Sequence, residues 1–361
     1  MRTRLLTSVG LVTIALALTA PLAGQAVQAP PAASPQATQQ PAAPLPKVFL
    51  FATGGTISNK VGGRLTVDEL IASIPGLSNR VRGEGEQFAN TSSSALTLEQ
   101  WLDLSKRINA RFKSDPELAG VVVTSGTDTL EELAYFLHLT VRDERPVVVV
   151  GSMRNPSTLG YEGAANLEDA FRAAADPQSR GMGTVVVLND EINSAREVTK
   201  TDAYSLDTFK SRQFGILGVV DPGGVSYYRK PTRRHSAQSE FDVEKITALP
   251  RVDVVLTYQG ADGDVVKAVV DAGAKGVVMA TAGAGALAGT QGEGTRYAVE
   301  KGVWVVTTTR TGTGRLGGGR GGAPFRASGD NLAPIKARIL LMLALTATSD
   351  PVEMARIFRE Y

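Results

Sequence analysis

The chain has 361 residues, 43% of them hydrophobic and 20% charged, with a formal net charge of +2, two histidines and no cysteine. That length and apolar content suffice for a large core and for two domains. The near-balanced charge gives no support for a nucleic-acid partner, and the lack of cysteine excludes disulfide staples and cysteine nucleophiles.

The chain opens on Met1-Arg2-Thr3-Arg4, then an apolar run from Leu5 to Ala20 relieved only by Thr, Ser and Gly, then the small-residue pattern Ala23-Gly24-Gln25-Ala26. This order predicts a secretory signal over residues 1–26. A membrane anchor is the alternative, but the run is short and broken for a span of ~20 residues. Residues 27–46, rich in Pro, Ala and Gln, have almost nothing to bury and are expected to form a disordered spacer. Export without cysteine leaves stability to core size and assembly. The expected location is the periplasm or the outside of the cell, with no stable membrane insertion after processing.

From Lys47 onward apolar strands alternate with helical patterns, the signature of a parallel sheet covered by helices. The first series predicts strands at 48–52, 120–124, 146–150 and 183–188, with helices at 98–112, 129–139 and 164–175. The second predicts strands at 252–257, 276–280 and 303–307, helices at 263–272 and 295–301, and closing helices at 334–346 and 351–359. Turn residues gather through Asp221-Pro222-Gly223-Gly224 and on to Pro231 and Pro250. The predicted organisation is therefore α/β, with a larger N-terminal domain at 47–230, a linker at 231–250 and a smaller C-terminal domain at 251–361. The Gly-rich run at 312–322 lacks a Lys-Ser or Lys-Thr ending and reads as a loop rather than a phosphate cradle. Arg233-Arg234 and the basic residues of 315–326 lack interleaved aromatics and read as solvated surface.

Two hydroxyl-bearing turns stand out. Thr53-Gly54-Gly55-Thr56-Ile57 follows the strand at 48–52, and Thr124-Ser125-Gly126-Thr127-Asp128-Thr129 follows the strand at 120–124. Carboxyl ends of parallel strands are where ligands bind, so the two turns suggest one site. Taken singly, each has a plainer reading: Gly pairs serve tight turns, and Thr127-Asp128-Thr129 with Glu131-Glu132 is a good helix start. Neither histidine is near these turns, which argues against a Ser-His-Asp triad or a His-rich zinc site. What remains is threonine chemistry, which needs a base; Lys200, in Val198-Thr199-Lys200-Thr201, is the candidate, with an ordinary surface lysine as the alternative.

Taken together and in order, these segments resemble the bacterial L-asparaginase family, particularly its exported type. The resemblance also covers Ala134-Tyr135-Phe136-Leu137, Gly151-Ser152-Met153-Arg154, Asn166-Leu167, Phe241-Asp242-Val243, Asp271-Ala272-Gly273-Ala274-Lys275-Gly276 and Ala337-Arg338-Ile339-Leu340-Leu341. It implies a flavodoxin-like N-terminal domain, a smaller C-terminal α/β domain and a homotetramer whose sites are shared between subunits. It implies hydrolysis of L-asparagine to L-aspartate and ammonia, with Thr56 as nucleophile and Thr127, Asp128 and Lys200 as the activating set. Ser93, in Ser92-Ser93-Ser94, would hold the substrate α-carboxylate, with Ser94 beside it among the substrate-binding residues, and Asp128 would pair with the α-ammonium. An amide hydrolase must also stabilise an oxyanion, for which the backbone N–H groups of Thr127 and of the Gly151-Ser152 turn are the candidate donors; neither metal nor cofactor is implied. A glutaminase-leaning enzyme, another small-amide hydrolase, or an impaired metabolite-binding homologue are the alternatives.

Four positions depart from the family pattern. Ser125 stands where the family usually has His, and Ala286 where it has Asn or Ser. The loop after Thr56 is short and has no tyrosine, and residues 316–324 contain no match for the glutamate expected from a partner subunit. Three of these touch the lid or the amino-acid clamp, and each lost hydrogen bond to a charged group is worth about 1.5–3 kcal/mol.

Overall fold

The computed structural model describes residues 44–317 and 323–361. The expected signal at 1–26, most of the expected spacer and residues 318–322 of the Gly-rich run lie outside the described residues.

The chain begins with β1 (Lys47–Gly54), a two-residue ladder of β2 (Asn59–Lys60) with β3 (Gly63–Arg64), helix α1 (Val67–Ala72) and β4 (Arg82–Thr91). It continues through α2 (Leu98–Ser114), β5 (Leu118–Thr124), α3 (Leu130–Thr140), β6 (Val147–Val150), α4 (Gly163–Ala175), β7 (Thr184–Leu188) and β8 (Glu191–Ser194). The short strands β9 (Thr199–Lys200) and β10 (Phe209–Lys210) pair with each other, and β11 (Gly218–Asp221) and β12 (Gly224–Tyr227) form a hairpin. The second series is β13 (Val252–Leu256), α5 (Asp264–Asp271), β14 (Gly276–Thr281), α6 (Gln291–Glu300), β15 (Trp304–Thr309) and β16 (Arg326–Ser328). Helices α7 (Pro334–Ala347) and α8 (Pro351–Glu360) end the chain.

An eight-stranded sheet runs in the order β12-β11-β8-β7-β6-β5-β1-β4, parallel from β7 to β4, and a four-stranded parallel sheet runs β13-β14-β15-β16. Period-two side chains divide the large core. Phe49, Phe51, Val121 and Val123 pack with α2 and α3, whereas Val48, Leu50, Ala52 and Val122 pack on the other face with α4. The α2–α3 layer also receives α7, α8 and one face of the small sheet, including Val252, Val278, Trp304 and Val306, so the two sheets share a core. The opposite face of the small sheet buries Val255, Val277 and Met279 under Val266 and Ala298 of α5 and α6.

The predicted strands and helices are present, with three differences of physical interest. The edge strand β4 lacks apolar alternation. On one face it carries Gly83 and Gly85, where a Cβ would meet Phe171, Leu77 and Val67, and on the other Glu84 and Glu86, which pair with Arg111 and Arg107 of α2. Helix α6 starts one turn earlier than predicted because Gly294 permits contact with α5: a Cβ there would lie 2.6 Å from the Gly263 carbonyl oxygen. Residues 231–250, expected as a linker, bury His235, Phe241, Val243 and Ile246 and include two short 3-10 turns.

Candidate active site

The chain steps from β1 to the sheet edge at β4, then returns to β5 on the other side of β1 and proceeds to β6. The crevice between β1 and β5 is therefore the point where strand order reverses, the usual ligand position in such sheets. Both threonine turns stand there. The Thr53 hydroxyl donates to the Thr124 carbonyl at 2.6 Å, and the Thr53 amide donates to Thr124 Oγ1 at 3.2 Å. Gly54 and Gly55 have φ of 103° and 88°, conformations that side-chain-bearing residues rarely adopt. A Cβ at Gly55 would stand 2.2 Å from the Gly126 amide nitrogen, and one at Gly126 would stand 2.9 Å from Ser93 Oγ. Half-buried Thr56 begins the 3-10 turn Thr56–Ser58 directly after this contact.

Thr127 is buried, whereas Asp128 keeps 72% of its side-chain surface. Lys200 Nζ donates to Thr127 Oγ1 and to Asp128 Oδ1, each at 3.0 Å. Unlike an ordinary surface lysine, Lys200 has only 17% of its side chain exposed, and its amine is held by two groups 72 and 73 residues away. The amide N–H groups of Gly126 and Thr127 donate to no other described residue, which leaves donors free at a strand end.

Ser93 is buried beside these turns, its Oγ accepting from the Thr129 amide at 3.3 Å, while Ser94 is exposed with its Oγ 3.4 Å from Ser92 Oγ. Ser152 is fully buried and its hydroxyl donates to the Arg154 carbonyl at 2.6 Å. Asn166 braces that turn, its Nδ2 donating to the Gly151 carbonyl at 3.0 Å and its Oδ1 accepting from the Asn189 amide at 3.0 Å.

Sequence reasoning missed a buried pair behind Lys200. Glu131 Oε1 accepts from Thr199 Oγ1 at 2.9 Å and from the Lys200 amide at 3.0 Å, and Glu131 Oε2 lies 3.7 Å from Lys336 Nζ. Lys336 is wholly buried, and burial brings its amine down to about 8 against the opposing pull of Glu131. Its ammonium also donates to the Arg196 carbonyl at 3.2 Å and to the Val198 carbonyl. The available signal was Lys336 in the first turn of α7, just ahead of the apolar run Ile339–Leu345.

The departures from the family pattern also have structural positions. Ser125 is buried and its hydroxyl donates to the Gly126 carbonyl at 3.1 Å. The loop after Thr56 folds back as the β2–β3 ladder, with the Val61 amide donating to Ser157 Oγ at 2.9 Å and the Tyr161 hydroxyl to the Ile57 carbonyl at 2.8 Å. Ala286 is exposed in a tight turn after β14, bonded backbone to backbone with Ala282 at 3.0 and 3.1 Å. Part of 316–324 lies outside the described residues. Of the basic residues read as solvated surface, Arg315 keeps 70% of its side-chain surface and Arg233 31%, and both pair with one buried carboxylate, Asp330. The two histidines meet in the core, His138 stacking on His235 with ring centres 4.6 Å apart. Among the described residues no group of three or more His, Cys, Asp or Glu side chains could hold a metal ion, and no helix is long and apolar enough to cross a membrane.

The class so defined is an α/β protein with a large, mainly parallel sheet backed by a smaller one, whose candidate site is a crevice bordered by threonine turns and a lysine. Residues 47–233 match the family model described as asparaginase, N-terminal, and residues 251–358 match that of the glutaminase/asparaginase C-terminal domain. L-asparaginase 2 of Bacillus subtilis is 42% identical over 328 residues, covering 88% of this chain and 87% of that protein. The probable periplasmic L-asparaginase of Haemophilus influenzae is 38% identical over 335 residues, covering 89% and 94%. The crystal structure of a probable cytoplasmic L-asparaginase from Campylobacter jejuni superposes with a TM-score of 0.82 at 37% identity, covering 87% of this chain and 99% of the other. The chain belongs to the bacterial L-asparaginase family and is an L-asparaginase-type amidohydrolase.

Proposed function

We propose that this protein hydrolyses L-asparagine to L-aspartate and ammonia through an acyl-enzyme on Thr56. The observation that carries the reading is the Lys200 amine, 3.0 Å from both Thr127 and Asp128, beside the crevice that Thr56 borders. In the proposed sequence Thr56 Oγ forms a bond to the side-chain amide carbon as its proton passes to the Thr127–Lys200 pair, which returns a proton to the departing ammonia. Water then attacks the ester and releases aspartate, with Thr56 regaining its proton. The free amides near Thr127 stabilise the tetrahedral oxyanion, an effect worth ~3 kcal/mol per donor. Exposed Asp128 receives the substrate α-ammonium, and the Ser93–Ser94 turn its α-carboxylate.

Glutamine or another small amide is the second reading. Ala286 offers no side-chain hydrogen bond from its turn, and the C-terminal match is to a domain described for glutaminases as well as asparaginases. Ammonia release measured separately with asparagine and glutamine tests both; release from neither would leave an impaired, metabolite-binding homologue. We further propose a homotetramer, because a single domain pair leaves the exposed Asp128 uncovered, and export, because residues 1–26 have the order of a secretory signal. Light scattering that finds an active monomer would contradict the first, and an unprocessed N-terminus in the isolated protein the second.

A further inference from the structure

We propose that the buried Lys336–Glu131 pair is a positioning device for Lys200, through which the C-terminal helix α7 sets the amine that serves the N-terminal site. This inference rests on the function proposed for Lys200. The connection is continuous. Lys336 donates to the carbonyls of Arg196 and Val198, which lead into β9, and it lies 3.7 Å from Glu131. Glu131 in turn takes hydrogen bonds from the Thr199 hydroxyl and the Lys200 amide at 2.9 and 3.0 Å. Both ends of the short Val198-Thr199-Lys200 segment are thus fixed by one ion pair. The backbone of β9 otherwise pairs with β10 in a two-residue ladder.

Helix stability does not explain Lys336. It sits in the first turn of α7, after Pro334, where the positive end of the helix dipole disfavours a cation. Full burial adds a desolvation cost that an apolar residue of similar length would avoid. Glu131 is the reverse case, since a carboxylate suits the first turn of α3, but its two accepted hydrogen bonds go to β9 rather than to its own helix. The neighbouring pair Glu132–Arg338, 3.8 Å apart, joins the same two helix starts without reaching β9. Helix docking and lysine positioning are therefore divided between two ion pairs.

The test is a double-mutant cycle on the intact protein, reading kcat and KM for asparagine together with the thermal midpoint. Lys336→Met is expected to lower kcat by about 10²-fold, the effect of roughly 1 Å of misplacement, with KM changed by no more than about threefold. In a Lys200→Met background the same substitution is expected to change kcat by less than about threefold, because the group it positions is gone. Equal losses in the two backgrounds would assign Lys336 to general stability and overturn the proposal. Should Lys336→Met fail to fold, Thr199→Val removes a single anchoring hydrogen bond: about a tenfold loss of kcat confined to the Lys200 background supports the device. No loss there, or an equal loss in both backgrounds, overturns it. If Lys200→Met alone leaves kcat intact, it is the proposed role of Lys200 that fails, a result separate from an additive cycle.

Discussion

Thr53 and Thr124 are bonded to each other twice, hydroxyl to carbonyl at 2.6 Å and amide to hydroxyl at 3.2 Å, where β1 and β5 end. The two turns they introduce carry Thr56 and Thr127, so this contact sets the spacing of the crevice. Thr53→Val removes one donor from a buried carbonyl and is expected to cost about 1–3 kcal/mol of stability. It should lower kcat more than a stability-matched core substitution such as Ile357→Val. Equal effects from the two, measured by denaturant unfolding and initial rates, would show that the contact only stabilises the fold.

The strands and helices that build the large sheet are legible in the sequence because Val48–Phe51 and Val121–Val123 are continuous apolar runs bounded by turn residues. Edge strand β4 is not, since glycines under α1 and glutamates paired to α2 replace its apolar face. Thr56, Thr127, Asp128 and Lys200 were legible as residue types, but the meeting of Lys200 with Thr127 across 73 positions is tertiary. Glu131 reads locally as a helix-start carboxylate, and nothing near it in sequence points to Lys336.

The stacked histidines give a pH dependence. Burial, and for His138 also the neighbouring His235 and Arg196, holds both imidazoles below the ordinary value of 6.5, so the folded protein keeps them neutral. Their stabilising contribution is fully present above that value and is lost as pH falls below it, because the unfolded chain binds the protons first. Each can contribute a slope of at most about 1.4 kcal/mol per pH unit. His235 Nδ1 has no partner among the described residues, so His235→Leu strands no hydrogen bond. The variant is expected to lose less stability than the parent between pH 6.5 and more acid conditions. Parallel stability curves for the two would remove the pair from the acid response.

Lys200→Met keeps the length of the stem and removes the amine, and is expected to lower kcat by about 10²–10⁴-fold at neutral pH, the range for a lost general base. A variant that keeps parental activity across neutral pH would make the 3.0 Å contacts to Thr127 and Asp128 structural only.

A selectivity prediction concerns Ala286. If the substrate α-ammonium is held chiefly by Asp128, as proposed, amides without that group, such as succinamic acid, should be hydrolysed with a kcat/KM much closer to that of asparagine than the ~10⁴-fold gap a fully hydrogen-bonded site imposes. Ala286→Asn is expected to favour asparagine further by about 1–2 kcal/mol in transition-state free energy. Strong rejection of succinamic acid by the parent would mean that other residues complete the clamp.

The central claim is that Thr56 is the nucleophile of an asparagine amidohydrolase, and ammonia release from asparagine by the parent and by Thr56→Ala tests it most directly. Half-buried at the end of a strand, the Thr56 hydroxyl adds little packing, so the variant is expected to match the parent in thermal midpoint and oligomeric state. Its turnover should fall by at least about 10³-fold, as befits the loss of the attacking atom. Turnover within about tenfold of the parent, on the scale where 1.4 kcal/mol is one decade, would contradict the account.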